Sequence, residues 1–468
     1  MDHFISSPFF SLQTLIRRGI QATSRAPLQY GLMARLSPDH AAISADEVIP
    51  NHEHPDQRLF FNVTAPSSIF ICGSQGSGKS HTLSCLLENC LTSSDAAELP
   101  KPLSAILFHY DTFISDDGGS PCEAAFLSSL PGARVRVVCA PTNISTIRRT
   151  YEHLGVDIEP LQIDDGDLNT KRILDLMALK AEEGSTPLYA HTVNRILREM
   201  RLSQQTTGTQ FDYQTFKSEL LAADLTPSQL APLNQRLASL ESFMPRTEKK
   251  KKGRTPQANR GTSWENKPGL LTIIDLSCPY ISPETAYSLF NIYLSLFLKQ
   301  RINCGRVIAL DEAHKYITGS PKSSVLNNSL LSTVRLQRHL GIRVFVSTQE
   351  PTIAPAFLDL CSVTIIHRFP SPAWMHALAA HVTLIKQRSL LSVGRQQGSV
   401  NSQKETMNEL FEKIVYLKTR EALLFAASAM LSSGDFSRLS PEEASKSYLK
   451  IKIRARLSED GGRSSFAI

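Results

Sequence analysis

The segment FICGSQGSGKSHTLSCLLENC, residues 70–90, constrains the fold more than any other part of the chain. An apolar run ends at Cys72 and a loop of glycine and serine follows. Lys79 then opens a stretch whose Leu83, Leu86, Leu87 and Cys90 recur at helical spacing. That order predicts strand, loop, helix. The loop fits Gly73-x-x-x-x-Gly78-Lys79-Ser80, the spacing of a P-loop. Phosphate oxygens must come close to main-chain N–H groups, and glycine accepts the backbone angles that turn those donors inward. The start of the helix adds the positive end of its dipole. Lys79 is then placed to reach the β- and γ-phosphates, and the Ser80 hydroxyl to bind Mg²⁺. Gly73, Ser74, Gln75, Gly76, Ser77, Gly78, Lys79, Ser80 and His81 are therefore the expected nucleotide-binding segment.

A triphosphate site of this kind needs carboxylates from a second strand. RVIALDEAHKY, 306–316, supplies them: Val307 to Leu310 form an apolar run that ends in Asp311 and Glu312. Asp311 is expected to hold the metal with Ser80, and Glu312 to polarise the attacking water as general base. An Asp-Glu pair merely capping a strand is the bland reading, and the P-loop upstream argues against it. Another run, IRVFVSTQ at 342–349, ends in Ser347, Thr348 and Gln349, which predicts a polar side chain at a strand end facing the γ-phosphate. The carboxyl ends of parallel strands are where ligands bind in such sheets.

The other elements follow from patterning. Apolar runs at 58–63, 67–73, 103–111, 133–140, 270–277 and 362–369 join the two above as predicted strands. Several are near-continuous rather than alternating, as expected of strands covered on both faces. Helical patterns separate most of them, including ETAYSLFNIYLSLFLKQ and a basic helix closed by Gly341. The expected organisation is a leader and linker at 1–58, a first core half at 59–142, a helical insertion at 143–268, a second core half at 269–430 and a tail at 431–468. Within the insertion, Thr226, Pro227 and Gln229 resemble a capping box with proline at the first helical position. Its last part, 246–268, is polar and basic and predicts a disordered loop. The KKKKGR string there reads as a solvated linker, with a nuclear signal or a nucleic-acid contact as the alternatives.

Composition excludes little else. Net charge is +6, which permits a polyanionic partner without requiring one. The eight cysteines include no C-x-x-C pair, and most lie in apolar runs, so buried free thiols in a reducing compartment are expected rather than a zinc site. No apolar run reaches the roughly 18 residues of a membrane span. The acid-free stretch His3–Pro38 with four arginines has the look of a mitochondrial leader, but Asp2 and the lack of an arginine face oppose it. The expected location is intracellular, cytoplasmic or nuclear.

In its order of motifs the chain resembles the HerA/FtsK-like branch of P-loop ATPases. GSQGSGKS, LTIIDLS, VIALDEAH and VRLQRHLGIRVFVSTQEP carry the resemblance, which covers roughly 59–142 and 269–430. It implies an α/β fold with a mainly parallel RecA-like sheet flanked by helices. It also implies MgATP hydrolysis, Gln349 as nucleotide sensor, an arginine acting across a subunit boundary, and a homo-oligomer, commonly a hexameric ring, that moves DNA, RNA or polypeptide. Arg368 is the first choice for that arginine, with Arg335 and Arg338 as alternatives, and each also reads as a surface residue. Family members usually have glycine where Thr419-Arg420 stands. A DEAH-box helicase is excluded: 232 positions separate Lys79 from Asp311, and the serine-alanine-threonine motif is missing. A nucleotide-dependent switch or scaffold is the competing function.

Overall fold

The structure is a computed structural model and describes residues 7–11, 29–37, 57–112, 114–115, 118–177, 188–245, 261–300, 304–318, 323–351, 355–381, 400–426, 429 and 448–461. The near-continuous apolar runs become strands buried on both faces. In chain order the early strands are β1 (Phe9–Ser11), β2 (Tyr30–Leu36), β3 (Arg58–Asn62), β4 (Ser68–Cys72), β5 (Ala97–Glu98), β6 (Ser104–His109), β7 (Arg134–Cys139) and β8 (Asp157–Pro160). The later ones are β9 (Leu270–Asp275), β10 (Arg306–Leu310), β11 (Ile342–Thr348), β12 (Val363–Ile366), β13 (Glu421–Phe425) and β14 (Leu449–Ile453). They form one sheet in the order β1-β3-β2-β14-β13-β12-β4-β11-β10-β6-β9-β7-β8, with β5 beside β2.

From β12 to β8 every pairing is parallel. From β1 to β12 every pairing is antiparallel. Alternate residues of the parallel strands feed two cores. Phe70, Phe108, Leu310 and Val346 belong to one, with helix α2 (Pro283–Lys299). Ile69, Ile71, Leu107 and Phe345 belong to the other, with Leu83, Leu86 and Leu87 of helix α1 (Lys79–Leu91). Period-2 side-chain alternation across a doubly covered sheet explains why these strands carry so few polar residues.

Four boundaries differ from the sequence expectation. The stretch 1–58 contributes β1 and β2, whose aromatic residues pack on β3: the Phe9 and Phe61 rings lie 5.6 Å apart. The stretch 431–468 contributes β14, which joins β13 to β2. The insertion, helical as expected over Leu188–Thr207, Tyr213–Leu221 and Pro227–Glu241, also adds β8 to the sheet edge. At the helix Pro227–Glu241 the Gln229 side chain accepts from the Thr226 N–H, as the capping pattern requires. KKKKGR lies outside the described residues, but 261–268 is docked: Thr262 N–H donates to Gln162 O, and buried Trp264 packs on Tyr293 at 4.7 Å. The single large aromatic in an otherwise polar stretch anchors it.

Candidate nucleotide site

Parallel strands of matched register deliver their following residues to one edge. Leu310 aligns with Val346 and with Phe108, and Thr348 aligns with Cys72. The residues just past these strands are Asp311 and Glu312, Gln349, Asp111, and Gly73, so all the acids and the loop share the carboxyl edge. Two strand spacings separate β4 from β10, about 10 Å. A lysine side chain and a hydrated ion span such a gap.

The loop has the backbone that glycine permits. Gly76 has φ 70° and Gly78 φ 109°, and Gly78 caps α1 from the left-handed region. A Cβ at Gly73 would lie 2.7 Å from the His367 Cβ, so that position also has no room. The first N–H groups of α1 lack intrahelical acceptors by construction and point into the loop. Lys79 Nζ donates to Ser74 O at 3.1 Å across the loop mouth. Burial lowers its pKa, and the carboxylates of Glu312 and Asp311 oppose that shift, which places all three groups in one field.

The acids are held from behind. The Tyr316 hydroxyl lies within 3.1 Å of the carbonyls of Phe108 and Asp311. Lys315 Nζ pairs with Asp111 Oδ1 at 3.0 Å. Glu312 itself adopts φ 48°, a costly angle for a non-glycine residue. Its Oε2 sits 3.3 Å from His314 Nδ1, a ring that burial keeps toward neutral, with Glu312 pulling the other way. Asp311 Oδ1, Glu312 Oε2 and Ser347 Oγ are all buried without a hydrogen-bond partner. Buried polar atoms left unpaired are costly unless a ligand satisfies them. An oxygen set of Ser80 and Asp311 suits Mg²⁺, which prefers few carboxylates plus phosphate and water.

The other expected residues divide. Gln349 is half-buried at the end of β11, between the loop and the acids. Arg368 follows β12, and its carbonyl accepts from the Ser74 N–H and Oγ, both at 2.9 Å, while its side chain is exposed. Arg335 and Arg338 precede β11 and so stand at the amino edge; seven residues of strand, about 23 Å, separate them from the site in their own subunit. The His81 ring is not free for nucleotide: Nε2 meets the Arg454 carbonyl at 2.8 Å.

Two histidines escaped the sequence reading, and the turn at Thr419-Arg420 proves to adjoin one of them. His367 lies under the loop, with Nδ1 3.0 Å from Glu421 O and Nε2 2.8 Å from Thr82 Oγ1. A carbonyl only accepts, so the proton sits on Nδ1, while Nε2 faces the Thr82 hydroxyl, which also lies 3.0 Å from the Gly78 carbonyl. Burial depresses this histidine to about 3, against the pull of the Glu421 carbonyl. Arg420 has φ 69°, and its backbone N would stand 3.3 Å from a Cβ on Gly78, so the turn where glycine is usual abuts the loop. His109, at the end of β6, faces Asp311 Oδ2 at 3.4 Å. Only the HRF and FHYD strings, polar residues ending apolar runs, could have signalled the two histidines.

Fold and site together define a P-loop α/β protein with RecA-like strand order. No protein-family model matches the chain, and no curated protein does. Among solved structures it is similar to VirB4 of Thermoanaerobacter pseudethanolicus, at 13% identity over 83% of this chain and 89% of that one, TM-score 0.48. It is also similar to the plasmid coupling protein TrwB with the ATP analogue ADPNP, at 13% identity over 85% and 92%, TM-score 0.41. A third is the genome packaging NTPase B204 of Sulfolobus turreted icosahedral virus 2 with ATP-gammaS, at 9% identity over 84% and 99%, TM-score 0.32.

Proposed function

We propose that this chain is an ATPase that hydrolyses MgATP by in-line attack of water. One observation carries the reading: the parallel register of β4, β11 and β10 brings the P-loop with Lys79 and the acids Asp311 and Glu312 to one carboxyl edge, two strand places apart. The loop N–H groups and α1 bind and orient the triphosphate, and Lys79 exchanges Ser74 O for phosphate oxygen. Ser80 and Asp311 would hold Mg²⁺, which would supply neutralisation of the phosphate charge. Glu312 takes a proton from water at Oε2, and His314 keeps that carboxylate aimed. Gln349 reads the γ-phosphate from the intervening strand.

The experiment is Mg²⁺-dependent phosphate release from ATP by the purified chain, with Lys79→Ala as the variant expected to lose nucleotide binding. Tight retention of ATP without turnover would favour a nucleotide switch instead. Nucleic acid is the proposed object of the motion, in keeping with the +6 net charge and with the exposed Arg335 and Arg338 at the edge opposite the site. Duplex binding that weakens steeply with salt supports this extension; no binding at low salt removes it. Assembly into a homo-oligomer, a ring of six in the fullest form, belongs to the same proposal because Arg368 is exposed beside the loop.

A further inference from the structure

Behind the expected Mg²⁺ ligand lies a second cluster of a different chemistry. His109 Nδ1, Cys122 Sγ and an Asp311 carboxylate oxygen all lie within 4.8 Å of one another, and all three residues are buried. Asp311 Oδ2 is the common vertex, 3.4 Å from His109 Nδ1 and 3.9 Å from Cys122 Sγ. We propose that His109, Cys122 and Asp311 form a site for one zinc-class divalent cation, set at the rear of the nucleotide site.

The distances carry the proposal. Zinc bonds of about 2.0–2.3 Å in a tetrahedron put ligand atoms about 3.3–3.7 Å apart. The cluster approximates that spacing before any cation draws it together. The Cys122 thiol makes one long contact to Asp311 Oδ2 and His109 Nδ1 lies against the same oxygen, while the neighbouring Asp311 Oδ1 is buried with no hydrogen-bond partner, in a residue only 5% exposed. Thiolate, imidazole and carboxylate together select zinc over magnesium, which takes oxygen ligands. Three protein ligands leave a fourth position for water.

The scaffold around the cluster is hydrogen-bonded. The Tyr151 hydroxyl accepts from the Cys122 N–H at 2.9 Å and donates to Asp275 Oδ2 at 2.7 Å. His109 stands at the end of β6, level with Asp275 of β9. The cysteine therefore comes from a loop, the histidine and aspartate from neighbouring strands, which is why no C-x-x-C spacing announces the site.

Resting on the ATPase reading, one consequence follows: a cation bound here engages Asp311 and withdraws it from Mg²⁺, so zinc inhibits hydrolysis without competing for ATP. The test uses Co²⁺ as the probe on the full nucleotide-free chain. One equivalent is expected to give a thiolate-to-cobalt charge-transfer band that Zn²⁺ abolishes. Cys122→Ser removes the band, and Cys304→Ser keeps it. His109→Gln weakens Co²⁺ binding by more than the 10–100-fold typical of losing an outer partner. A wild-type chain without the band, or a band that survives Cys122→Ser, overturns the site. Should Cys122→Ser not fold, unchanged Co²⁺ affinity in His109→Gln overturns it equally. A chain that shows the band but never hydrolyses ATP loses the ATPase reading and keeps the cation site; one that hydrolyses ATP and shows no band does the reverse.

Discussion

The sheet has two halves that differ in construction and in what they do. The parallel half, β12 to β8, carries the loop and the acids at its carboxyl edge. The antiparallel half, β1 to β13, carries none of the expected catalytic side chains, yet Arg420 abuts Gly78, the Arg454 carbonyl meets His81, and the Glu421 carbonyl holds His367 beneath the loop. In the proposed function one half supplies the reacting groups and the other holds them in register. The difference teaches that the nucleotide site belongs to the whole sheet, and that substitutions in the two halves should fail in different ways.

The largest effect is expected in the parallel half. Glu312→Gln should lower Mg²⁺-dependent phosphate release by about 10²–10⁴-fold while ATP binding and folding stay intact. Equal turnover would remove Glu312 as the base and with it the division of labour.

In the antiparallel half the expected loss is stability. Arg454 pairs with fully buried Glu88 of α1 at 2.7 Å, and Ser458 N–H and Oγ also serve that carboxylate. Burial would raise the Glu88 pKa, but Arg454 and Ser458 bring it below the usual value. Arg454→Met leaves a buried charge and should cost about 3–5 kcal/mol in chemical denaturation, with part recovered by adding Glu88→Gln. An unchanged midpoint would show that β14 merely decorates the sheet.

Acid provides a milder probe of the seam between the halves. His367 is depressed to about 3 in the fold against an ordinary value of 6.5. Between those values the unfolded chain binds a proton that the folded chain does not. Stability should therefore fall as pH drops through that window, by up to about 1.4 kcal/mol per unit. His367→Gln should flatten that limb of the stability profile; an unaltered slope would mean the ring is not held neutral.

The smallest effect concerns Arg420 at φ 69°. Left-handed backbone costs a non-glycine residue about 1–2 kcal/mol, and glycine returns part of that as chain entropy. Arg420→Gly should stabilise the fold by less than about 1 kcal/mol, read as a small rise in thermal midpoint. A drop would show that the arginine side chain supports the loop.

How much of this was legible follows from the same division. Strands such as SIFIC and SAILFH are buried at every position, so their apolar runs stand out without knowledge of a partner. The LKIKI strand alternates buried and half-buried residues over only five positions, and its partners β13 and β2 come from distant parts of the chain. A short alternating run in a polar stretch carries little signal until its neighbour is known. The nucleotide segment and the acids were legible because their spacing is dictated by phosphate. His367, His109 and Cys122 were not, since each comes from a different element and only the sheet brings them to the site. The resemblance offers the basic-helix arginines as alternatives for an arginine acting across a subunit boundary, and the direction of β11 puts them at the edge far from the site of their own chain.

Arg454 and Ser458 also bear on the order in which the molecule can be made. A ribosome releases the P-loop helix some 370 residues before the serine that clasps its Glu88. Until that late segment emerges, the nascent helix carries an acid with no cation to meet it. The helix must wait, solvated or guarded, for the last strand to close over it.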